Sequence, residues 1–176
     1  QNSEVLLTKI CQENNWNEIV IKPTISGAAR HTYRLKLNEV EDFQFKWARL
    51  IKNEDFIIQE FQKNVITKGE VALMLFGGEF THSIMKKAKE GDFRVQDDFG
   101  GTVEEYKATS QEIDFARRVL EVCPHKPLYA RVDIFYDNNN ELALGELELI
   151  EPELWFRNYP EATTKLAEAV YKYIQQ

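Results

Sequence analysis

This chain of 176 residues lacks the features of several large classes of protein. Its apolar runs are all shorter than a membrane span, and it shows no secretory signal pattern. Basic residues are in the minority, because 22 lysines and arginines face 29 acidic residues, for a formal net charge of −7. We therefore expect neither nucleic acid nor a membrane to be its main partner.

Cysteine and histidine are also scarce. The two cysteines, Cys11 and Cys123, each lie on an apolar helical pattern. This predicts buried free thiols and a cytoplasmic location. The three histidines have the spacing of neither a metal site nor a catalytic triad, and no Cys-His arrangement is present. Chemistry through a histidine-activated nucleophile is therefore not indicated.

Residues 128–155 carry the most informative pattern, two predicted strands joined by a turn of three asparagines. Because side chains alternate along a strand, Arg131 and Asp133 share one face, and so do Glu146 and Glu148. If the register brings the two faces together, three carboxylates meet one guanidinium. Such carboxylates repel each other unless cations neutralise them, which favours Mg²⁺ bound together with substrate phosphates. The alternative is a half-exposed strand with a solvated acidic face.

Two further segments have features of a phosphate site. Lys22 ends an apolar strand, directly before Pro23 and the small-residue loop 24–31. The backbone N–H groups of that loop could fold over phosphates, with Arg30 adding charge. The alternatives are an ordinary hairpin loop and a lysine that ends an exposed strand.

Residues 86–102 have no clear periodicity, and loops of this length are functional or disordered in most compact domains. Lys86, Lys87 and Arg94, with a pair of glycines, favour a loop that faces an anion. A solvated basic run explains the lysines equally well. Elsewhere, the patterns predict helices over 3–14, 38–51 and 109–122 and from 160 onward, and strands over 18–22, 33–37, 56–61, 69–76 and 79–85.

The order of these motifs resembles the ATP-grasp superfamily, especially its glutathione-synthetase-like, ribosomal-protein-modifying and D-alanine or cycloserine ligase branches. The resemblance extends from about residue 18 to residue 176, and the ordered set of motifs carries it. It implies an α+β fold with two lobes whose antiparallel sheets hold ATP between them. We expect a small lobe over 1–62 and a large lobe with the metal site over 63–176. The chain begins without Met, and we expect the family's N-terminal domain to be missing.

The resemblance also implies a role for each motif. The lysine at Lys22 contacts the nucleotide phosphates, and the loop that covers them matches Ser26, Gly27 and Arg30. The adenine is held by the interlobe hinge, which matches Gln59, Glu60, Phe61 and Gln62. Phosphates or an acyl phosphate are contacted by Lys86 or Lys87 together with Arg94.

The hairpin matches the family's catalytic and metal residues. Arg131 corresponds to the arginine that stabilises the transferring phosphoryl group. Asp133 and Glu146 correspond to carboxylates that bind Mg²⁺ (or Mn²⁺). Glu148 stands where the family usually has asparagine, so either Glu148 or Glu151 completes the metal site.

The function implied is an ATP- and Mg-dependent ligase. Its small-molecule substrates would be a carboxylate, phosphorylated to an acyl phosphate, and an amine or thiol that attacks it. A homo-oligomer is compatible with this function. The competing interpretations are a non-catalytic ATP-binding or regulatory module and a plain α+β structural domain.

Overall fold

The computed structural model describes residues 6–27, 29–89 and 100–175. It divides into two compact units, Gln1–Phe61 and Gln62–Gln176. The elements of the first unit are α1 (Leu7–Asn14), β1 (Glu18–Pro23), β2 (Tyr33–Lys36), a 3₁₀ turn (Leu37–Glu39), α2 (Val40–Leu50) and β3 (Phe56–Glu60). Those of the second are α3 (Asn64–Lys68), β4 (Glu70–Phe76), β5 (Glu79–Lys87), β6 (Thr102–Tyr106), α4 (Ser110–Glu121), β7 (Tyr129–Tyr136), β8 (Leu142–Glu148) and α5 (Ala162–Ile174).

The first unit is an antiparallel sheet of order β2-β1-β3 with helices α1 and α2. Its core is apolar and joins both helices to the central strand through Leu7, Cys11, Ile19, Ile21, Val40 and Trp47. Cys11 is free, as predicted, and burial raises the pKa of its thiol.

Two local predictions in this unit are wrong. The strand predicted over 18–22 continues one residue further, since Pro23 pairs with Phe56 on β3. The pairing with β2 has already ended at Ile21, so the missing N–H of Pro23 leaves no bond unmade on that side. The helix predicted over 38–51 begins only at Val40, because Asn38 lies inside the 3₁₀ turn, where the Glu39 carboxylate accepts from the Lys36 N–H at 2.8 Å.

The second unit is a five-stranded antiparallel sheet of order β6-β5-β4-β7-β8. One face packs against α4 through a continuous apolar cluster of Val71, Leu73, Leu75, Ala116, Leu120, Ala130, Val132 and Ile134. The other face carries a second apolar cluster, in which Ala72, Met74, Phe76 and Ile84 meet Trp155 and Ala162. The charged side chains of Glu70, Lys86 and Asp133 also lie on that second face.

The β4–β5 hairpin turns at Gly77 and Gly78, whose φ angles of 60° and 88° are those a type I′ turn requires. Beyond the turn, β5 continues to Lys87, two residues past its predicted end. The short elements α3 and β6 were not predicted. Two antiparallel sheets with flanking helices nevertheless confirm the predicted α+β fold class. Among the residues described, no helix is both long and apolar enough to cross a membrane.

Candidate metal and phosphate site

The register of β7 and β8 brings four predicted site residues together. Arg131 lies opposite Glu148, and Asp133 lies opposite Glu146. A β-bulge follows Asp133, and Gly145 sits beside it, where a Cβ atom would lie 3.3 Å from the Asp133 carbonyl oxygen. Carboxylate oxygens of Asp133, Glu146 and Glu148 come within 4.8 Å of one another. We call these three residues the carboxylate cluster.

Asp133 is fully buried and is bound by two cations. The Arg131 Nε lies 3.0 and 3.1 Å from its two carboxylate oxygens, and the same guanidinium contacts Glu148. The Lys86 Nζ lies 2.7 Å from Asp133 Oδ2 and 2.8 Å from Glu70 Oε1. These pairs supply the opposite charge and the hydrogen-bond donors that a buried carboxylate needs.

Glu70 also belongs to this candidate site, although it was not predicted from the sequence. It is the first residue of β4, directly opposite Lys86 on β5, and Asp133 lies opposite Ala72 two positions along β4. The three side chains therefore project from the same face of the sheet. The available signal was a glutamate at the head of an otherwise apolar strand, but only the strand order shows which cation it meets.

The charges of this face shift several pKa values. Burial by itself lowers the pKa of Lys86, but the charges of Glu70 and Asp133 outweigh it and raise the pKa. Burial also raises the pKa of Glu70, against the opposing charge of Lys86. The pKa of Glu146 is raised by burial and by its neighbour Glu148. Each raised carboxylate pKa means that added positive charge would stabilise the ionised form.

The carboxylate cluster fits a hard divalent cation. Its donors are all oxygen, which is the ligand type of Mg²⁺. Two oxygens on one Mg²⁺ are at most about 4.2 Å apart, since each Mg–O distance is about 2.1 Å. The separations of up to 4.8 Å therefore need only small side-chain rotations. Glu146 and Glu148, with side chains 59% and 29% exposed, have room for them.

The small-residue loop of the first unit is held by ion pairs. Arg30 donates to both oxygens of Glu54, at 2.9 and 2.6 Å, and His31 Nδ1 lies 3.0 Å from Glu54. The Ser26 hydroxyl donates to the Arg30 carbonyl at 2.9 Å. Arg30 therefore has to leave Glu54, or share it, before it can bind a phosphate.

The ion pairs of this loop lower the pKa of the Glu54 carboxyl group. Its bonds to Arg30, then to His31, lower the Glu54 pKa to about 2. Because the folded pKa is depressed, this stabilisation is present above pH 4.5 and is lost as the pH falls towards 2. We expect NMR titration of the Glu54 carboxyl carbon to show this pKa, and Arg30→Gln to bring it back towards 4.5. A Glu54 pKa near 4.5 in the unaltered chain would show that the ion pairs of Glu54 with Arg30 and His31 do not form in solution.

Known proteins place the chain in a family. Residues 3–143 match the model for the ATP-grasp domain of prokaryotic glutathione synthetase. The chain belongs to the ATP-grasp family. The predicted superfamily is thereby confirmed. No curated protein matches the chain.

Solved structures share the ATP-grasp fold. The D-cycloserine synthetase DcsG superposes with a TM-score of 0.77 at 23% identity, over 93% of this chain and 58% of that one. D-alanine–D-alanine ligase from Bacillus anthracis, complexed with ATP, gives 0.61 at 15% identity, over 92% and 53%. The ATP-grasp ligase PsnB, complexed with Mg and ADP, gives 0.61 at 13% identity, over 88% and 45%. The chain thus spans roughly half the length of these proteins.

The predicted hinge of the ATP-grasp domain lies where β3 ends. Gln59 and Glu60 pair with β1 opposite Val20 and Ile19. Phe61 is buried and donates its N–H to the Glu18 carbonyl. In the second unit, Gln62 Oε1 accepts from the Asn138 N–H at 2.9 Å. Contact with an adenine remains a prediction for this segment.

The other predicted phosphate residues have separate surroundings. Lys22 is half-buried near the end of β1, opposite Ile57. Lys87 is exposed and pairs with Glu104 at 2.8 Å, on the sheet face opposite that of Lys86. Arg94 lies outside the described residues.

A cavity of about 700 Å³ lies away from the carboxylate cluster, between the β4–β5 turn and α5. Its walls include Phe76 at the far end of β4, roughly 20 Å from Glu70 at a rise of about 3.3 Å per strand residue. Lysines and glutamates line it in equal number, namely Lys126, Lys165, Lys172, Glu79, Glu161 and Glu168. This balance indicates no particular ligand charge, so the cavity does not compete with the cluster as the candidate site.

Proposed function

We propose that this ATP-grasp domain binds MgATP and belongs to a ligase that joins a carboxylate to an amine or thiol. The supporting observation is that Asp133, Glu146 and Glu148 meet Arg131 and Lys86 on one sheet face. A hard-metal site beside two cations is the arrangement that phosphoryl transfer needs. Family membership makes ATP the nucleotide of choice.

The carboxylate cluster would hold Mg²⁺ or Mn²⁺. When bound, the ion would neutralise the negative charge of the phosphate oxygens. We assign the third ligand to Glu148 instead of Glu151, because the oxygens of Glu148 are among those that converge. Glu148 also contacts Arg131, so metal and guanidinium would share one carboxylate.

The reaction proposed has two steps. A carboxylate oxygen of the substrate attacks the γ-phosphorus of ATP, the bond to ADP breaks, and an acyl phosphate forms. The amine or thiol then attacks the acyl carbon and loses its proton, while phosphate departs with the bonding electrons. The chain would contribute position and charge, through Arg131 and Lys86 at the phosphates and with no covalent intermediate of its own.

The first unit would supply the remaining nucleotide contacts. We propose that Lys22 and the loop with Ser26, Gly27 and Arg30 bind phosphates. The segment from Gln59 to Gln62 would hold the adenine, with Glu60 as its polar contact. A non-catalytic ATP-binding or regulatory role is the alternative. The observation that favours it is that Lys86, Arg131 and Arg30 already form ion pairs with carboxylates of the chain.

Thermal unfolding with and without MgATP tests the nucleotide site. A ligand that binds the native state at a hundred times its Kd stabilises it by about 2.7 kcal/mol. We expect a clear rise in Tm that requires Mg²⁺, is weakened in Lys22→Ala and persists in Lys52→Ala, which removes an exposed lysine of the same unit. No rise in the unaltered chain would contradict nucleotide binding by this domain. Carboxylate-dependent ADP release would separate the ligase from the regulatory module.

A further inference from the structure

The Lys86 ammonium occupies a position that a metal ion on Asp133 would need. It lies 2.7 Å from Asp133 Oδ2, while the Arg131 Nε lies 3.0 Å from Oδ1. Both oxygens of this buried carboxylate therefore already have a cation. A metal ion can bind Asp133 at full strength only if one cation gives way.

Lys86 is the cation that can give way at the lower cost. Its ammonium is a point charge on a flexible stem, and Glu70 is a second partner that binds it at 2.8 Å. Arg131 is a planar fork that contacts Asp133 and Glu148 at once, so moving it would break both pairs. A Lys86 that leaves Asp133 stays paired with Glu70.

The charge balance of the face favours this exchange. Counted by formal charge, the four carboxylates of Glu70 and the carboxylate cluster face two cations, Lys86 and Arg131, which leaves an excess of two negative charges (four minus two). One divalent ion cancels that excess. Glu70 meanwhile prevents the displaced ammonium, whose residue is only 5% exposed, from becoming an unpaired buried charge.

We propose that Lys86 is an internal cation that Mg²⁺ displaces from Asp133, and that Glu70 is the positioning residue that retains its ammonium. This inference rests on the metal site of the proposed function. Once displaced, the ammonium keeps Glu70 as one partner and has N–H groups available for a phosphate oxygen. Metal binding would thereby prepare Lys86 for the nucleotide.

Metal affinity without nucleotide tests the exchange. Free Mn²⁺ is counted by its electron paramagnetic resonance signal in the presence of the 176-residue chain. We expect Lys86→Met to raise the Mn²⁺ affinity by about tenfold or more, because a competing charge next to the site is removed. Lys107→Met, the loss of an exposed lysine elsewhere in the same unit, should leave the affinity unchanged. An unchanged affinity in folded Lys86→Met would overturn the exchange.

A double-mutant cycle tests the role of Glu70. Glu70→Gln should lower the Mn²⁺ affinity, because Lys86 then depends on Asp133 alone. In the Lys86→Met background the same change should have a much smaller effect, since no ammonium is left to retain. An equal effect in both backgrounds would show that Glu70 acts through its own charge, and would overturn its positioning role.

The unaltered chain supplies a readout that does not depend on any variant folding. With labelled lysine, Mg²⁺ should move the side-chain NMR resonances of Lys86 and leave those of Lys87 in place. If Mg²⁺ shifts the Asp133 carboxyl carbon while Lys86 stays still, the exchange is wrong and the metal site stands. If neither Mg²⁺ nor Mn²⁺ binds the unaltered chain or Lys86→Met, the metal site itself is wrong.

Discussion

Replacing Asp133 by Asn is expected to remove most of the stabilisation that MgATP gives this domain. The substitution takes one negative charge from the carboxylate cluster and leaves a weak amide ligand in its place. The increment of about 2.7 kcal/mol expected at a hundredfold excess over Kd should fall below about 1 kcal/mol. Differential scanning calorimetry with and without MgATP measures it directly.

The same substitution also changes the unliganded protein. Lys86 and Arg131 lose a shared partner but keep Glu70 and Glu148. We expect the free energy of unfolding without ligand to fall by about 2 to 4 kcal/mol. Glu104→Gln, which neutralises an exposed carboxylate on the same sheet, should change neither quantity by more than about 0.5 kcal/mol. A full MgATP increment in folded Asp133→Asn would remove the carboxylate cluster from consideration as the metal site.

Much of the local geometry around Asp133 could be predicted because it depends on short-range rules. Side-chain alternation puts Arg131 with Asp133, and Glu146 with Glu148, whatever else the sheet does. Three asparagines between two strands also indicate a turn, and Asn140 has a positive φ of 65°. The bulge after Asp133 could not be predicted, since it depends on how β7 and β8 pair.

Long-range pairing explains what the sequence could not reveal. The pattern predicted an end of β5 at Met85, so it could not decide whether Lys86 or Lys87 points inward. The structure extends β5 through both residues, which sends them to opposite faces. Glu70 was overlooked because its partner Lys86 lies 16 residues away on β5, and Asp133, which shares that lysine, lies 63 residues away on β7. The functional roles of all these residues stay predictions.

The two faces of the five-stranded sheet differ in the surroundings of their buried carboxylates. One face holds the carboxylate cluster, Lys86 and Glu70 beside the apolar patch under α5. The opposite face packs against α4, and it too contains a buried carboxylate, Glu112. In the described part of the chain, Glu112 accepts hydrogen bonds from Tyr106, Thr109 and Tyr136, which are donors without charge and typical of the surroundings of a structural carboxylate.

Glu112→Ala is expected to lower the free energy of unfolding by about 3 to 5 kcal/mol. Its carboxylate accepts from the Thr109 N–H at 2.8 Å and the Thr109 hydroxyl at 3.0 Å, and the Glu112 N–H donates to the Thr109 hydroxyl oxygen at 3.3 Å. The two N–H bonds together form a capping box at the start of α4. It also accepts from the hydroxyls of Tyr106 at 3.1 Å and Tyr136 at 3.4 Å, and so ties α4 to β6 and β7. Alanine removes the acceptor of all these donors at a position that is fully buried, and urea unfolding measures the loss of stability.

Two comparisons separate this structural effect from the functional one. Gln111→Ala, at the exposed neighbouring position of the same helical turn, should change stability by less than about 0.5 kcal/mol. Folded Glu112→Ala should keep the MgATP increment that Asp133→Asn loses, because Glu112 lies on the sheet face away from the carboxylate cluster. If Glu112→Ala abolished the increment while remaining folded, the two faces would be coupled, and α4 would have to be counted as part of the nucleotide site.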